Sequence, residues 1–154
     1  MTRVTKTFEI SLRAMVAGDL ATIAALEAEI FSDNWSEQSF QEILSDPSWQ
    51  AIVAEADNTI IGFACWVINE AESHLANIAV APEHRRKSVA KRLLERILDS
   101  VTGSGCDCLL LEVRPSNPAA IAFYERHGFE HLYRQPNYYH RPVEDALVMV
   151  HYLL

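Results

Sequence analysis

The chain has 154 residues, 49% of them hydrophobic and 22% charged, a balance that suits one globular domain over residues 1–154 and excludes a disordered chain. A formal net charge of −8 argues against general nucleic-acid binding, since it leaves no global basic face. No apolar run approaches the ~18 residues of a membrane span and no charged-then-apolar leader opens the sequence, so neither a membrane anchor nor secretion is expected.

In chain order, Phe8 to Arg13 alternates apolar and polar residues and reads as an edge strand. Gly18 and Asp19 open a helix with apolar positions Leu20, Ile23, Leu26 and Ile30. Ser36 is placed to cap a short second helix holding Phe40, Ile43 and Leu44, which Asp46-Pro47 stops. Three strands are expected next, Gln50 to Glu55, Ile60 to Ile68 and His74 to Val80, the first two joined by a turn at Asp57-Asn58. A basic loop follows Pro82, then a long helix with Val89, Leu93, Leu94, Ile97, Leu98 and Val101 at helical spacing and Gly103 at its end. Asp107 to Arg114 is a continuous apolar strand, the pattern of burial on both faces. A helix from Pro118 to His127, closed by Gly128, precedes two strands near Phe129 to Arg134 and Ala146 to Leu153. This alternation predicts an α/β fold.

Two central segments carry chemistry, Asn77 to Ala90 and Leu109 to Phe129. The stretch Ile78-Ala79-Val80 leads through Pro82 to Arg85-Arg86-Lys87-Ser88-Val89-Ala90 and a helix N-terminus, where unpaired N–H groups and about half a positive charge can seat a pyrophosphate. A solvated basic loop has the same composition. Glu112 lies inside an apolar strand, where a carboxylate is costly unless hydrated or paired. It reads either as a general base or as a strand-end partner of Arg114 or another cation. Tyr124, twelve positions on, suits an acid or a core aromatic. Asn117 before Pro118 suits a helix N-cap.

The cysteines Cys65, Cys106 and Cys108 do not form a disulfide framework. Cys65 and Cys108 sit in apolar runs and read as buried thiols, which suits a reducing cytoplasm. The six histidines are dispersed and no metal site is expected; His127 and His131 flank Gly128 and read as surface residues.

The two central segments together resemble the GCN5-related N-acetyltransferase (GNAT) superfamily, whose acyl-CoA signature Arg/Gln-x-x-Gly-x-Gly/Ala corresponds here to Arg85 through Ala90. The likeness extends to its RimI-type branch of ribosomal-protein-alanine N-acetyltransferases. The matching text is Phe31 with Trp35-Ser36 and Ser39-Phe40, Asn77 to Val80, Leu111 to Arg114, Ser116-Asn117, Phe123 to Glu125 with Gly128-Phe129, Asn137 to Tyr139, and Glu144 to Ala146. The resemblance implies a mixed, mostly antiparallel, splayed sheet flanked by helices. It also implies acetyl-CoA as co-substrate, no metal, and direct transfer to the α-amine of a protein N-terminus. That N-terminus would be the alanine of a small-subunit ribosomal protein, met in the cytoplasm by a monomer or weak dimer, with no direct role for nucleic acid or membrane. By the same resemblance Glu112 is the base and Tyr124 the acid. Ile78, Ala79 and Val80 hold the pantetheine arm, Arg85, Arg86, Lys87, Ser88, Val89 and Ala90 the pyrophosphate, and Asn117 adds a coenzyme A contact.

Two positions depart from the pattern. Ser88 stands where the family has glycine at its closest approach to the pyrophosphate, and Asn34 where a proline is common before Trp35-Ser36. Two other readings stay open: acetylation of lysine side chains or a small-molecule amine, and a non-catalytic acetyl-CoA sensor.

Overall fold

A computed structural model describes residues 9–153. Its elements are β1 (Ser11–Ala14), α1 (Leu20–Ile30), α2 (Glu37–Ser45), β2 (Trp49–Ala56), β3 (Thr59–Asn69), β4 (Glu72–Val80), α3 (Val89–Gly103), β5 (Cys108–Val113), α4 (Pro118–Arg126), β6 (Glu130–His140) and β7 (Val143–Tyr152). Short 3₁₀ turns lie at Ala17–Asp19 and Pro82–His84. The seven strands form one sheet in the order β1-β2-β3-β4-β5-β7-β6, antiparallel at every step except β4–β5. The expected α/β architecture with a mostly antiparallel sheet is therefore present. No described helix is long and apolar enough to cross a membrane.

Two apolar layers cover the sheet. On one face Ile23 and Leu26 of α1 and Phe40 and Ile43 of α2 pack against Val53, Phe63 and Ala79. On the other, Leu93, Leu94, Ile97 and Val101 of α3 pack against Leu75, Leu109 and Leu111, with Tyr124 of α4 joining them. Leu93, Leu94 and Ile97 are fully buried, each contributing about 1.5–3 kcal/mol by leaving water. Ser36 caps α2 as its sequence indicates, its Oγ accepting from the Ser39 amide at 3.1 Å. Asp57 and Asn58 take φ of +50° and +61°, the paired left-handed conformation that turns a two-residue hairpin without splaying its strands.

Several boundaries differ from the sequence reading. Within the described residues the first strand begins at Ser11; Phe8 lies outside them. Gly103 is the last residue of α3 rather than the residue beyond it, and the left-handed turn that follows falls at Gly105 (φ +79°). Cys106 is buried with Cys65, whereas Cys108 is only half-buried. β5 is not closed on both faces: Leu109, Leu111 and Val113 are buried, while Cys108, Leu110 and Glu112 between them are partly open. His127 lies just beyond α4, with Nδ1 2.8 Å from the Phe123 carbonyl oxygen. His131 stands beside Glu125 at 3.9 Å.

β6 runs six residues further than its sequence indicates, to His140 rather than Arg134. Pro136 and Asn137 look like a turn but form a bulge within the strand, with Asn137 at φ +51° and its amide donating to Asp145 Oδ1 at 3.0 Å. β6 has β7 on one side only and is exposed along nearly all of its length.

Candidate active site

β4 and β5 pair in register only from Glu72–Cys108 to His74–Leu110. Beyond that point β4 stays paired with β3 as far as Gly62–Val80, and β5 with β7 as far as Val113–Leu147. The strands therefore part, and the inner edge of β4 from Leu75 to Val80 has no strand beside it. Backbone N–H and C=O groups there need another partner, which makes the gap a place for a ligand with amide groups of its own.

A bulge in β4 re-aims its side chains. Cys65 and Trp66 are consecutive on β3 but oppose Asn77 and Leu75, so Ala76 is the extra residue. Leu75 packs in the α3–α4 layer while Ala79, four residues on, packs in the α1–α2 layer, although without a bulge they would share a face. The same shift turns Asn77 toward α1.

The chain leaves Val80 and enters α3 through the exposed residues Arg85, Arg86, Lys87 and Ser88. Arg86 and Ser88 both have left-handed backbone, at φ +64° and +63°. A residue with a Cβ there costs about 1–2 kcal/mol relative to glycine. Ser88 thus adopts the glycine-like conformation that its alignment with the family signature implies. As N-cap of α3 its side chain makes no capping bond, while its carbonyl accepts from the Arg92 amide at 3.0 Å. The α3 N-terminus is left with orphan amides under three basic side chains, a fit for a pyrophosphate. Val89 is buried in the α3–α4 core and can reach such a ligand through its main chain alone, and Ala90 is half-buried.

Glu112 projects from the partly open face of β5, its Oε2 2.5 Å from His74 Nε2 on β4. It is not paired with Arg114. That guanidinium bonds Glu144 Oε1 and Asp33 Oδ2 at 3.1 Å each and the carbonyl oxygens of Pro142 and Arg141 at 3.0 and 3.3 Å. It also lies 4.1 Å from the Tyr139 ring centroid. Tyr124, 8% exposed, packs in the opposite layer between Phe123 and Phe129, and burial pushes its phenol well above the ordinary tyrosine range. Glu112, just past the last β4–β5 register pair, and Tyr124 thus lie on opposite faces of the sheet. Burial raises the Tyr139 phenol pKa, and the charge of Glu112 adds to it. Asn117 caps α4, its Oδ1 accepting from the Ala120 amide at 3.2 Å.

Three contributors are not evident from sequence reasoning. His74 reads there only as a strand start. Glu27 is 1% exposed, taking Asn77 Nδ2 on both oxygens at 3.0 and 2.8 Å and the Trp35 amide on Oε2 at 3.2 Å. Its signal is present in the sequence: with Leu20, Ile23 and Ile30 it completes the 3-4-3 spacing of a buried helical stripe. Asp33 is the third, joining the α1–α2 loop to the β6–β7 turn by accepting from the amides of His140 and Arg141 at 2.9 and 3.3 Å. Those amide bonds, led by His140's, hold its carboxyl below the usual range.

Residues 20–129 match the model of the acetyltransferase (GNAT) family. The ribosomal protein bS18-alanine N-acetyltransferase of Salmonella typhimurium is 35% identical over 85% of this chain and 89% of its own. The N-alpha-acetyltransferase RimI of Mycobacterium tuberculosis is 29% identical over 91% and 90%. The crystal structure of the Escherichia coli ribosomal-protein-S18-alanine N-acetyltransferase superposes with a TM-score of 0.86 at 30% identity, covering 94% of each chain. The chain belongs to the acetyltransferase (GNAT) family.

Proposed function

We propose that this chain, as one domain over residues 1–154, moves the acetyl group of acetyl-CoA to the α-amine of a protein N-terminus. The acceptor is the N-terminal alanine of a small-subunit ribosomal protein, met in the cytoplasm. The observation that carries the reading is Glu112 on β5 where it parts from β4, with Tyr124 in the layer on the other face, in a chain similar over most of its length to bS18-alanine acetyltransferases. Acetyl-CoA lies in the opening, its pantetheine along Ile78, Ala79 and Val80 and its pyrophosphate on Arg85, Arg86, Lys87, Ser88 and the main chain of Val89 and Ala90. Asn117 adds a coenzyme A contact beside its capping role. The protein acts as a monomer or weak dimer, without nucleic acid, membrane or metal.

The acceptor must first be neutral. A peptide α-amine has a pKa of about 7.8 and a lysine about 10.4, so the α-amine needs about 3.5 kcal/mol less deprotonation work. A carboxylate acting through water suffices for that. Glu112 takes the ammonium proton, the free amine attacks the acetyl carbon, and the C–N bond forms as the C–S bond breaks. An amide of the open β4 edge polarises the carbonyl. Tyr124, kept protonated by its burial, gives its phenolic proton to the departing thiolate as the second proton of the attacking nitrogen, carried through water, replaces it, so that no phenolate is left.

The test is thiol release with a peptide beginning Ala-Arg beside an N-blocked twin that contains lysine. Turnover of the free N-terminus alone supports the reading. Turnover of the blocked twin moves the function to lysine, and acetyl-CoA binding with no turnover of either leaves a sensor. Glu112→Gln and Tyr124→Phe are each expected to slow turnover by about 10²-fold or more while sparing acetyl-CoA binding. A full-speed variant removes that residue from its role.

A further inference from the structure

His74 reaches across from β4 to hydrogen-bond Glu112, with Nε2 2.5 Å from Oε2. It sits at the last register pair before β4 and β5 separate, so the contact lies at the base of the opening. The His74 side chain is 33% exposed and that of Glu112 21%, which gives the imidazole the better access to water. Other charges nearby are engaged or of a different kind. On β5 itself, Arg114 is held by Asp33 and Glu144. From β6, Tyr138 and Tyr139 present phenols raised chiefly by burial and further by Glu112. Tyr124 of α4 is packed in the core layer on the other face of the sheet. On its own strand, His74 has Glu72 two residues away, at the register pair with Cys108.

We propose that His74 is a positioning and proton-relay residue for Glu112, a role that rests on Glu112 being the base. Each transfer consumes an ammonium and a thioester and yields an amide, a thiol and one proton. That proton must leave the carboxylate before the next acceptor binds. In the tautomer protonated at Nδ1, imidazole accepts a proton at Nε2 from the Glu112 carboxyl and yields the Nδ1 proton to water. Exchange with water then restores the starting tautomer. No further reactant is required, and the fixed contact also holds the carboxylate toward the opening.

The experiment compares His74→Ala, His74→Gln and Glu112→Gln in the full chain with acetyl-CoA and the Ala-Arg peptide. For His74→Ala, kcat is expected to fall about tenfold or more with little change in acetyl-CoA binding, and added imidazole should restore part of it. His74→Gln keeps a donor at similar reach but cannot relay. It should therefore fall similarly, lose the wild-type shape of the kcat–pH profile and ignore imidazole; it also carries the test if the alanine variant is unfolded. Wild-type kcat and pH profile in the histidine variants, with Glu112→Gln slow, overturn the relay and leave the base standing. A loss unresponsive to imidazole with an unchanged pH profile overturns it as well. Wild-type turnover by Glu112→Gln removes the base and the relay together.

Discussion

Asn77 sets its side-chain amide against the carboxylate of Glu27, 2.8 Å from Oε2 and 3.0 Å from Oε1, so that the first helix is fastened to the strand that borders the β4–β5 opening. The same carboxylate accepts the Trp35 amide, and Trp35 packs on Phe40 and Trp49. One buried acid thus fixes the α1–α2 loop relative to β4. Both of its oxygens are occupied by donors, which is what makes a buried carboxylate tolerable.

Glu27→Gln should destabilise the fold by about 1–3 kcal/mol, since a glutamine turns an NH₂ toward donors and leaves one of them without an acceptor. Adding Asn77→Asp reverses the polarity of the pair: the introduced glutamine can donate to the introduced carboxylate and still accept from the Trp35 amide. The double variant should recover much of the lost urea stability and of the peptide KM. A double variant no better than the sum of the single ones would show that the pair is not coupled.

Burial raises the pKa of Glu27, the hydrogen bonds from Trp35 and Asn77 opposing it. In the window between its unfolded value, about 4.3, and its raised folded value, the folded state binds more protons than the unfolded one. Stability from this group therefore falls as pH rises through that window. The difference in unfolding free energy between wild type and Glu27→Gln should favour wild type most at the acidic end and shrink as pH rises. A difference that grows with pH would contradict the assignment. Cys65, in register with Asn77, has its thiol pushed up to about 12, mainly by burial and further by Glu27's charge, and should resist alkylation in the folded protein.

Ser88→Gly should relieve left-handed backbone at the start of α3. A gain of about 1 kcal/mol from that relief, less part of it for the freer unfolded chain, leaves a small rise in Tm. Acetyl-CoA should bind more tightly, because a Cβ is removed at the proposed pyrophosphate seat. A lower Tm with unchanged affinity would mean that the serine side chain contributes something the strain argument omits.

Arg114→Ala should loosen the junction of the α1–α2 loop with the β6–β7 turn, since four hydrogen bonds from that guanidinium meet there. The peptide KM is expected to rise about tenfold while the acetyl-CoA KM changes little. Arg114→Lys should recover only part, because an ammonium lacks the planar fork that reaches two carboxylates and two carbonyls together. Equal effects on both substrates would place the junction's role in overall folding.

The helices and central strands are legible in the sequence because their signals are local. Helical spacing from Val89 to Val101, the Ser36 cap and the Asp57-Asn58 turn each depend on neighbours a few residues away. The basic loop and Ser88 are readable from the residue types and their order alone. Pairings across the fold are not. Glu27 meets Asn77 fifty residues on, and His74 meets Glu112 thirty-eight residues on. Arg114 is open, in sequence, to a pairing with its neighbour Glu112, but Asp33 and Glu144 arrive from other elements and take it. The one-residue bulge at Ala76 decides which face Asn77 serves, and no residue type announces it.

The outer border of the sheet has a consequence for how crowded copies of the chain behave. An exposed strand of eleven residues is a template on which a foreign strand could extend the sheet, the first step toward polymerisation. Here Pro136 supplies no N–H, and Asn137 beside it twists the line of donors and acceptors out of register. A second shift lies between His131 and Tyr133, so an incoming strand finds short stretches rather than one long one, and the irregularity that hides the strand's full length in the sequence also blunts it against aggregation.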